Sequence, residues 1–323
     1  MLTIYDTTGH SLLQHNETAP ITNDTVWFDL LNPTKEEDNK VEALLKISVP
    51  TRAEMREIEA SSRFYQENGA SYMTGFIIHN IDEQQTLGSS TLTFILTGNA
   101  LVTVRYTDSK VFTNFHSRVE RGDATCKTGA GIMVGLIETL VQHQADLIEQ
   151  TQDRVDKIAK GIFELQKRRK GETKLDVLLK ATGTQGDIVA RVTESATSIL
   201  RVLHVFRNTA QERNCDGKIF QRIEMANKDL TSLTEHLRFL ADRIGFLLNA
   251  TLGLISNEQN QIIKLFSVMA VMLMPPTLVA SIYGMNFRHM PELQWIDGYP
   301  LALGAMVISA VIPFIYFRRK GWL

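Results

Sequence analysis

The chain has few of the residues that build covalent or metal-held frameworks. Only two of its 323 residues are cysteine, Cys126 and Cys215, and neither belongs to a Cys-x-x-Cys pair or a Cys/His cluster. The spacing gives no sign of a disulfide framework or a structural zinc site, because both need grouped thiol or imidazole ligands. The two thiols are typical of a reducing compartment.

The chain also lacks an excess of one charge and the features of a secretory signal. Its formal net charge is −2 and 22% of its residues are charged. No global field attracts nucleic acid, so we expect no nucleic-acid partner. Residues Met1 to His10 contain no basic stretch followed by an apolar core, so no cleavable signal is predicted and the bulk of the protein is expected in the cytoplasm.

Two long apolar segments lie near the end of the sequence, Leu265 to Ile282 and Tyr299 to Phe317. Each has about 18 residues or more and no charged side chain, which is roughly what a helix needs to cross hydrocarbon. We predict a first span at about 265–283, an outer loop at 284–298, a second span at about 299–317 and a basic tail at 318–323. The chain is therefore predicted to be anchored in a lipid membrane by a two-helix hairpin.

The charges that flank these segments predict the orientation of the hairpin. Lys264 precedes the first span and three basic residues, 318–320, follow the second, whereas the loop has only Arg288 against Glu292 and Asp297. Basic residues favour the cytoplasmic side of a membrane. The protein is thus expected in the cell (inner) membrane, with both termini on the cytoplasmic side.

The first part of the chain, residues 1–125, alternates strand and helix signals and is predicted to be a cytoplasmic α/β domain with a largely antiparallel or mixed sheet. Glycine and asparagine at 98 and 99 favour a hairpin turn. The predicted strands are Val26 to Leu30, Tyr72 to Ile81, Thr91 to Thr97 and Ala100 to Tyr106, and the predicted helices are Lys35 to Leu45 and Thr51 to Arg63.

Residues 126–264 have the pattern of long helices that form a stalk. No proline occurs between Pro50 and Pro275, and apolar residues recur every three or four positions from Gly131 onward. This periodicity predicts a first long helix, followed by a loop or frayed tip at 168–186, a second helix at 187–212 and a third that begins near Asp216. If the third continues to Ile282, it is about 100 Å long. With the transmembrane part at 265–323, the predicted fold class is an α+β cytoplasmic domain with long helices, followed by a transmembrane hairpin.

One stripe of the first span is small or polar, while its other faces are uniformly apolar. The stripe follows steps of three and four, the spacing of residues that face neighbouring helices in a bundle. Its members are Asn260, Ile263, Ser267, Ala270, Met274, Thr277 and Ser281. A single helix cannot enclose a channel, so several copies would surround an axis, with Ile263 and Met274 as apolar constrictions that gate by dewetting. The alternative is that small residues only let membrane helices pack closely.

The sequence Tyr283-Gly284-Met285-Asn286 stands where the first span ends. Magnesium gives up its waters reluctantly, so a site for it should bind the hydrated ion through oxygen acceptors. A ring of Asn286 carbonyls would serve that purpose without adding charge. The alternative interpretation of Gly-x-Asn at this position is a simple helix C-cap.

These residues resemble those of the CorA magnesium transporters over essentially the whole chain. The resemblance rests on Tyr-Gly-Met-Asn-Phe at 283–287, Met-Pro-Glu-Leu at 290–293, Gly-Tyr-Pro at 298–300 and the tail Lys-Gly-Trp-Leu at 320–323. Asn-Glu-Gln-Asn at 257–260, Pro-Pro-Thr-Leu-Val-Ala at 275–280 and Ile-Glu-Ala-Ser at 58–61 also look like that family. The apolar residues Ile263 and Phe266 depart from its pattern, which affects the details of a gate.

The resemblance implies a homopentameric funnel whose inner helices line one pore for divalent cations: Mg2+, with Co2+ and Ni2+ as further cargo. Gly284, Met285 and Asn286 would form the selectivity motif, and the stripe would line the pore. The basic ring near the inner mouth would consist of Lys264, Arg318, Arg319 and Lys320. The family also implies regulatory Mg2+ between cytoplasmic domains that keeps the pore closed, and no organic cofactor.

The regulatory ligands are predicted only as candidates, since no short motif fixes them. They are Asp82 and Glu83 after the long predicted strand, and Glu224 and Asp229 on the long helix. Each would be neutralised by bound cations, whose loss lets the acids repel one another. The alternative is that each is a solvated surface carboxylate.

Three alternative functions would each require particular features of the sequence. Zinc transport on the same fold is the nearest alternative, although zinc prefers imidazole and thiolate ligands and the stripe has none; His289 is the only histidine of the outer loop. A membrane-tethered enzyme would need the glycine-rich run 129–135 to bind a nucleotide, but its spacing does not fit GxGxxG and no P-loop lysine follows. A structural coiled-coil anchor without transport would tolerate loss of Asn286.

Overall fold

A seven-stranded mixed sheet organises the N-terminal part of the chain. The computed structural model describes residues 1–8, 11–15, 25–57, 59–80, 87–120, 127–165, 172–286, 288 and 290–322. The strands are β1 (Leu2–Thr8), β2 (Ser11–His15), β3 (Thr25–Leu31), β4 (Phe64–Glu67), β5 (Ala70–Asn80), β6 (Leu87–Thr97) and β7 (Ala100–Arg105). Their order is β2-β1-β3-β7-β6-β5-β4, and only the β3–β7 pair is parallel. The mixed sheet is confirmed.

The hairpin between β6 and β7 forms where the sequence predicts it. Leu96 pairs with Leu101 and Thr97 with Ala100, so Gly98 and Asn99 make the turn. Gly98 has a φ of 51°, a conformation that costs glycine little because it has no Cβ. The predicted helix at 35–45 is also confirmed as α1 (Lys35–Leu45), whose N-terminus is closed by a capping box between Thr34 and Glu37.

The predicted helix Thr51 to Arg63 is wrong. It is replaced by a 3-10 turn at Glu54–Arg56, an extended Glu57 and the short helix α2 (Ala60–Arg63). The carboxylate of Glu54 accepts hydrogen bonds from the backbone and hydroxyl of Thr51, at 2.7 and 2.9 Å, which closes one turn locally. Met55 of this turn is fully buried in a hydrophobic core that also contains residues of the sheet.

The remaining helices are α3 (Lys110–Glu120), α4 (Gly129–Leu165), α5 (Glu172–Glu212), α6 (Gly217–Tyr283) and α7 (Gly298–Arg319). The short helix α3 was not predicted, and α5 begins earlier than the predicted residue 187. Residues 172–186 are helical despite Gly183 and Gly186, each of which costs only about 1 kcal/mol in a helix. Packing of α5 against α4 offsets that cost. The two helices come so close that a Cβ on Gly161 of α4 would lie 3.1 Å from the side chain of Leu178 of α5.

The glycine-rich run at the start of α4 serves close packing. A Cβ on Gly129 would lie 2.5 Å from the backbone of Ala100, and a Cβ on Gly135 would lie 2.7 Å from the ring of Phe115. The Gly129 amide also donates a 2.7 Å hydrogen bond to the carbonyl of Asn99. These glycines let a helix approach a hairpin and another helix, which accounts for them without a nucleotide.

The prediction of one uninterrupted helix from near Asp216 to Ile282 is confirmed by α6, which has 67 residues. The chain divides into two units, Met1–Leu248 and Asn249–Leu323, and α6 contributes to both. In the first unit α6 buries residues three, four or seven apart along one face. They are Ile223, Ala226, Leu230, Leu237, Leu240, Ile244 and Leu247. This amphipathic face holds the beginning of α6 against the core of the first unit.

A half-buried carboxylate ties α6 to the rest of the first unit. Glu138 of α4 accepts hydrogen bonds from Arg118 of α3 at 2.6 Å and from the Nε and Nη2 atoms of Arg222 of α6, both at 2.7 Å. Burial raises the pKa of Glu138, but the two guanidinium groups outweigh it and hold that pKa below its ordinary value. The ionised carboxylate therefore joins three helices.

We expect Glu138→Gln to lower the melting temperature of the detergent-solubilised full chain at pH 7. Breaking a buried charged cluster costs on the order of 3 kcal/mol, which corresponds to roughly 6–12 °C for a domain of this size. A group with a lowered pKa in the folded state stabilises above its unfolded pKa of about 4.3, so the difference between variant and wild type should shrink as the pH falls below that value. The measurement is helical circular dichroism during heating.

Glu235→Gln is the matched control, since Glu235 lies exposed on α6 and makes no ion pair among the described residues. It should leave the melting temperature within about 1 °C, as surface changes cost about 0.5 kcal/mol or less. Equal melting temperatures for Glu138→Gln and wild type at pH 7 would contradict a stabilising role of the cluster.

Candidate functional site

The second unit consists of the end of α6, a connection with a 3-10 turn at Pro291–Gln294, and α7. Two described helices, α6 and α7, are long and apolar enough to cross a membrane. Only 6% and 0% of their most apolar windows are buried. Water would have to cover that much apolar surface in a water-soluble protein, whereas lipid covers it favourably.

The chain just beyond the end of α7 contacts α6 near the start of its apolar segment. Lys264 of α6 contacts the ring of Trp322, just beyond the end of α7, with its Nζ atom 5.9 Å from the ring centroid. Along α6 the covered positions recur every three or four residues at Val268, Met272, Pro275 and Val279. On α7 from Ala302 onward, most of the half-covered positions follow the same spacing; they are Ala302, Gly304, Met306, Ser309, Ala310, Pro313 and Phe317. This is the spacing of two packed helices.

All seven residues of the predicted stripe are exposed in the single chain. Ile263 and Met274, the two bulky members, are 61% and 70% exposed. At about 100° per residue, the centre of the stripe lies roughly 140° around α6 from the centre of the covered positions. The stripe therefore does not pack within the hairpin and is available to water or to other copies of the chain.

Two consecutive prolines interrupt the hydrogen bonds of α6 without ending the helix. Pro275 and Pro276 have no N–H group, so the carbonyls of Val271 and Met272, four residues earlier, lose their helical donors. The hydroxyl of Thr277 donates a 2.7 Å hydrogen bond to the carbonyl of Leu273. The stretch is thus partly supported by a side chain and keeps two carbonyl oxygens without a helical partner.

The predicted selectivity motif forms the turn at the end of α6. The amide of Gly284 donates to the carbonyl of Ala280 at 3.0 Å, and that of Met285 donates to Ile282 at 3.2 Å. A Cβ on Gly284 would lie 3.1 Å from the Ala280 oxygen, a tight contact that glycine avoids. Asn286 is exposed, and its amide makes no hydrogen bond within the described part of the chain. Its carbonyl oxygen is free to accept a bond from a ligand.

The four residues of the predicted basic ring are exposed at the other end of the hairpin. The structure brings Lys264 and Lys320 to one aromatic ring, since their Nζ atoms lie 5.9 and 5.0 Å from the centroid of Trp322. Trp322 belongs to the tail motif, and no role was predicted for it from the sequence. The signal that could have identified it is a glycine followed by a large apolar residue directly after a helix.

The candidate regulatory acids differ in their surroundings. Asp82 and Glu83 lie outside the described residues. Glu224 forms an ion pair with Arg207 at 2.6 Å, so its charge is already partly compensated. Asp229 is exposed on α6 and has no ion pair among the residues that the structure describes. No group of three or more potential metal ligands occurs within that same part of the chain.

An α+β domain whose last helix continues into an apolar two-helix hairpin, with exposed small and polar residues on one stripe of that helix, is typical of an integral membrane protein. Residues 22–319 match the family described as CorA-like Mg2+ transporter protein. The chain is 33% identical to the magnesium transport protein CorA of Escherichia coli strain K12 over 311 residues, which is 96% of each chain. It is also 33% identical to that of Pectobacterium atrosepticum over 299 residues, 93% of this chain and 92% of the relative.

Solved structures agree on the fold. A CorA magnesium transporter from Methanocaldococcus jannaschii superposes with a TM-score of 0.76 at 16% identity, over 100% of this chain and 99% of the other. The cytoplasmic domain of ZntB from Vibrio parahaemolyticus gives 0.58 at 10% identity, over 79% and 98%. The chain belongs to the CorA-like Mg2+ transporter family. The predicted family, fold class and transmembrane helices are confirmed, while the roles of the individual site residues stay predictions.

Cysteine labelling distinguishes a water-facing stripe from one that only packs. With Cys126 and Cys215 replaced by serine, we expect Ser267→Cys and Ser281→Cys in proteoliposomes to react with a hydrophilic thiol reagent. Ala280→Cys should react at least about tenfold more slowly, because it is neighbouring and small but lies about 100° around the helix and a thiol in hydrocarbon does not ionise readily. The rates are measured by mass spectrometry of the intact protein.

The Ala280→Cys variant is the control for side-chain size and depth in the membrane. Denatured protein is the control for complete reaction. Equal reaction rates for Ala280→Cys and Ser281→Cys would mean that the stripe is no more accessible to water than the neighbouring face. Slow reaction at both stripe positions would favour close packing between helices.

Proposed function

We propose that this protein is a magnesium channel that passes hydrated Mg2+ into the cytoplasm, with Co2+ and Ni2+ as further cargo. The observation that carries the proposal is the exposed stripe of α6, turned away from α7 and ending at the Gly284-Met285-Asn286 turn. A stripe of polar and small residues on an apolar helix costs free energy in lipid and is useful against water. The negative potential of the cell interior drives cation entry.

Several copies are required, because one helix cannot surround a pore. The family resemblance implies a homopentamer with the α6 stripe of every copy facing the axis. Ser267, Ala270, Thr277 and Ser281 then line a polar path, while Ile263 and Met274 narrow it with apolar rings. Such rings close a pore when they lose water. Self-association is therefore part of the proposed mechanism.

Asn286 is proposed to select the ion at the outer mouth. A ring of amide carbonyls accepts hydrogen bonds from the water shell of Mg2+, so the ion need not lose its waters. No acid stands in the motif, so the ion is held weakly enough to leave, as conduction requires. Gly284 and Met285 shape the turn that presents this amide.

The basic residues are proposed to lie at the cytoplasmic face of the inner membrane, with both termini in the cytoplasm. Lys264, Arg318, Arg319 and Lys320 occupy one end of the hairpin, and Arg288 is the only cation of the described connection between the helices. This asymmetry follows the positive-inside rule. Asn286 would then face the outside, where the ion enters.

Zinc transport is the second candidate, favoured by the similar fold of the ZntB cytoplasmic domain. The stripe of α6 has no imidazole or thiolate ligand, and these are the groups that zinc prefers. Magnesium uptake into proteoliposomes should therefore exceed zinc uptake at the same potential, and the outer-loop variant His289→Ala should leave both unchanged.

The central prediction concerns Asn286. We expect Asn286→Ala to reduce Mg2+ flux through full-length protein in proteoliposomes by about tenfold or more, because a hydrogen bond to a charged species contributes about 1.5–3 kcal/mol. Asn286→Gln should also reduce flux, since the longer side chain moves the carbonyl. Met274→Asp should change conduction, because it places a charge in an apolar ring. Flux is measured with a magnesium-sensitive dye at set potentials.

Gln294→Ala is the control, since Gln294 is exposed in the same connection but lies outside the motif. Its flux should equal that of wild type. Unchanged conduction in all three test variants would contradict the assigned pore, and it would favour a structural anchor that does not transport.

Regulation is proposed to depend on intracellular Mg2+ bound between cytoplasmic domains. Bound cations neutralise acids on neighbouring copies, and their loss lets those acids repel. Of the four candidates, Asp229 is the described acid whose charge is not compensated by an ion pair among the described residues. Glu224 is engaged by Arg207 and should contribute less.

We expect Asp229→Asn to raise the internal Mg2+ concentration needed for half-maximal closure by about fivefold or more, the usual lower range of coupling between sites. Asp242→Asn is the matched control on the exposed side of α6. The measurement is current in patches exposed to graded Mg2+ on the cytoplasmic side. Identical closure curves for the two variants would remove Asp229 from the regulatory set.

A further inference from the structure

The end of α7 is closed by a Schellman motif. The amide of Trp322 donates to the carbonyl of Phe317 at 3.1 Å, and that of Gly321 donates to Arg318 at 3.2 Å. Gly321 has a φ of 70°, the left-handed conformation that this motif requires at that position. The chain therefore turns back on the helix, and the ring of Trp322 stacks on that of Phe317 with centroids 5.4 Å apart.

This turn gives Trp322 two cationic neighbours from different helices. The Nζ atom of Lys320 lies 5.0 Å and that of Lys264 lies 5.9 Å from the indole centroid. Lys320 also lies 5.6 Å from the ring of Tyr316. Ammonium groups within about 6 Å of an aromatic ring are attracted by its quadrupole. Trp322 thus holds two lysines of the basic ring near each other.

Within the described part of the chain, no carboxylate pairs with the positive charge collected there. Lys264, Arg318, Arg319 and Lys320 are exposed and form no ion pair within the described residues. Like charges held close together repel one another. An arrangement that gathers cations at one end of the membrane hairpin is most stable when an anionic ligand binds among them.

The surroundings of the cluster identify the source of that anion. Tyr316 lies near the end of the apolar helix α7 and Trp322 lies just beyond it, and such aromatic residues are enriched where hydrocarbon meets headgroups. The cluster therefore lies at the depth of the lipid phosphates rather than in free solution. Juxtamembrane Lys/Arg clusters bind anionic lipids on the cytoplasmic side.

We propose that Lys264, Arg318, Arg319 and Lys320, arranged by Trp322, bind the headgroup of an anionic phospholipid of the inner leaflet. Trp322 positions the lysines, while the four cations contact the phosphate. The site needs only the membrane hairpin and no particular transported ion. Its failure in a test would consequently leave the proposed magnesium channel intact.

Tryptophan fluorescence can test this directly, since the chain has only three tryptophans. Trp27 is fully buried in the first unit, and Trp295 is replaced by phenylalanine, so Trp322 reports on nearby lipid. Full-length protein is placed in bilayers of phosphatidylcholine and phosphatidylglycerol, with one or the other lipid brominated to quench fluorescence. No magnesium gradient is applied.

We expect brominated phosphatidylglycerol to quench Trp322 about fivefold more effectively per molecule than brominated phosphatidylcholine, as each cation near an anionic surface contributes an attraction of that order. The combined variant Lys264→Gln, Lys320→Gln, Arg318→Gln and Arg319→Gln should bring the ratio close to one. Arg288→Gln, at the opposite end of the hairpin, should leave it unchanged. Trp295, studied alone in a Trp322→Phe background, should show a ratio near one.

The positioning role of Trp322 needs a second readout, because its removal also removes the reporter. Native mass spectrometry of protein released from mixed bilayers should show fewer retained phosphatidylglycerol molecules for Trp322→Ala, and partial recovery for Trp322→Phe, whose ring still attracts cations. Equal quenching by the two lipids in the Trp295→Phe protein would overturn the proposal. So would a preference that survives neutralisation of the four cations in a protein of normal helical content.

Discussion

Hydrocarbon offers no hydrogen-bond partner to a peptide group, and this constraint determines the second unit. Both segments that must cross it are helical, so nearly every backbone group is satisfied within its own helix. The exception in α6 is Pro275-Pro276, which leaves the carbonyls of Val271 and Met272 without helical donors. Such groups are tolerated at membrane depth only where water or protein reaches them. The prolines therefore mark a part of α6 that lipid alone cannot surround.

The constraint changes along α6, and the sequence changes with it. In the first unit the helix is amphipathic, burying residues such as Leu230 and Leu240 while acids and amides face solvent. Beyond Leu265 its charged residues disappear and apolar side chains occupy most directions. Gly245 and Gly253 interrupt neither part, since one helix continued through both costs less than ending and capping two helices.

Strongly periodic segments could be predicted from the sequence alone. The long helices, the β6–β7 hairpin and both membrane helices follow patterns of ten or more residues, so local errors average out. β1, β2 and β4 could not be predicted in this way. β1 and β3 pair across more than 20 residues, Leu2 with Leu30 for example, and no local pattern records a partner at that distance. The helix predicted at 51–63 is wrong because the carboxylate of Glu54 closes a single turn with Thr51, after which Glu57 is extended.

The exposure of the candidate site residues follows from the same local patterns, while their roles stay predictions. The stripe depends only on helical periodicity and a turn, so its exposure away from α7 agrees with the spacing. The role of Trp322 depends on the contact of α7 with Lys264, more than 50 positions away in sequence. The surroundings of Glu224 depend likewise on Arg207 of another helix. At the candidate site, the contacts between elements were beyond the sequence pattern.

In the second unit α6 has three faces, and each requires different surroundings. One face is covered, at Val268 and Met272, and a second carries the polar stripe, roughly 140° away. Between them, Leu265, Met269 and Leu273 form an exposed apolar face. Lipid can cover this third face but gains nothing from the second, whose polar groups prefer water or one another. A closed ring of identical copies satisfies all faces at once, because each copy presents the same stripe to a shared axis and the same apolar face outward.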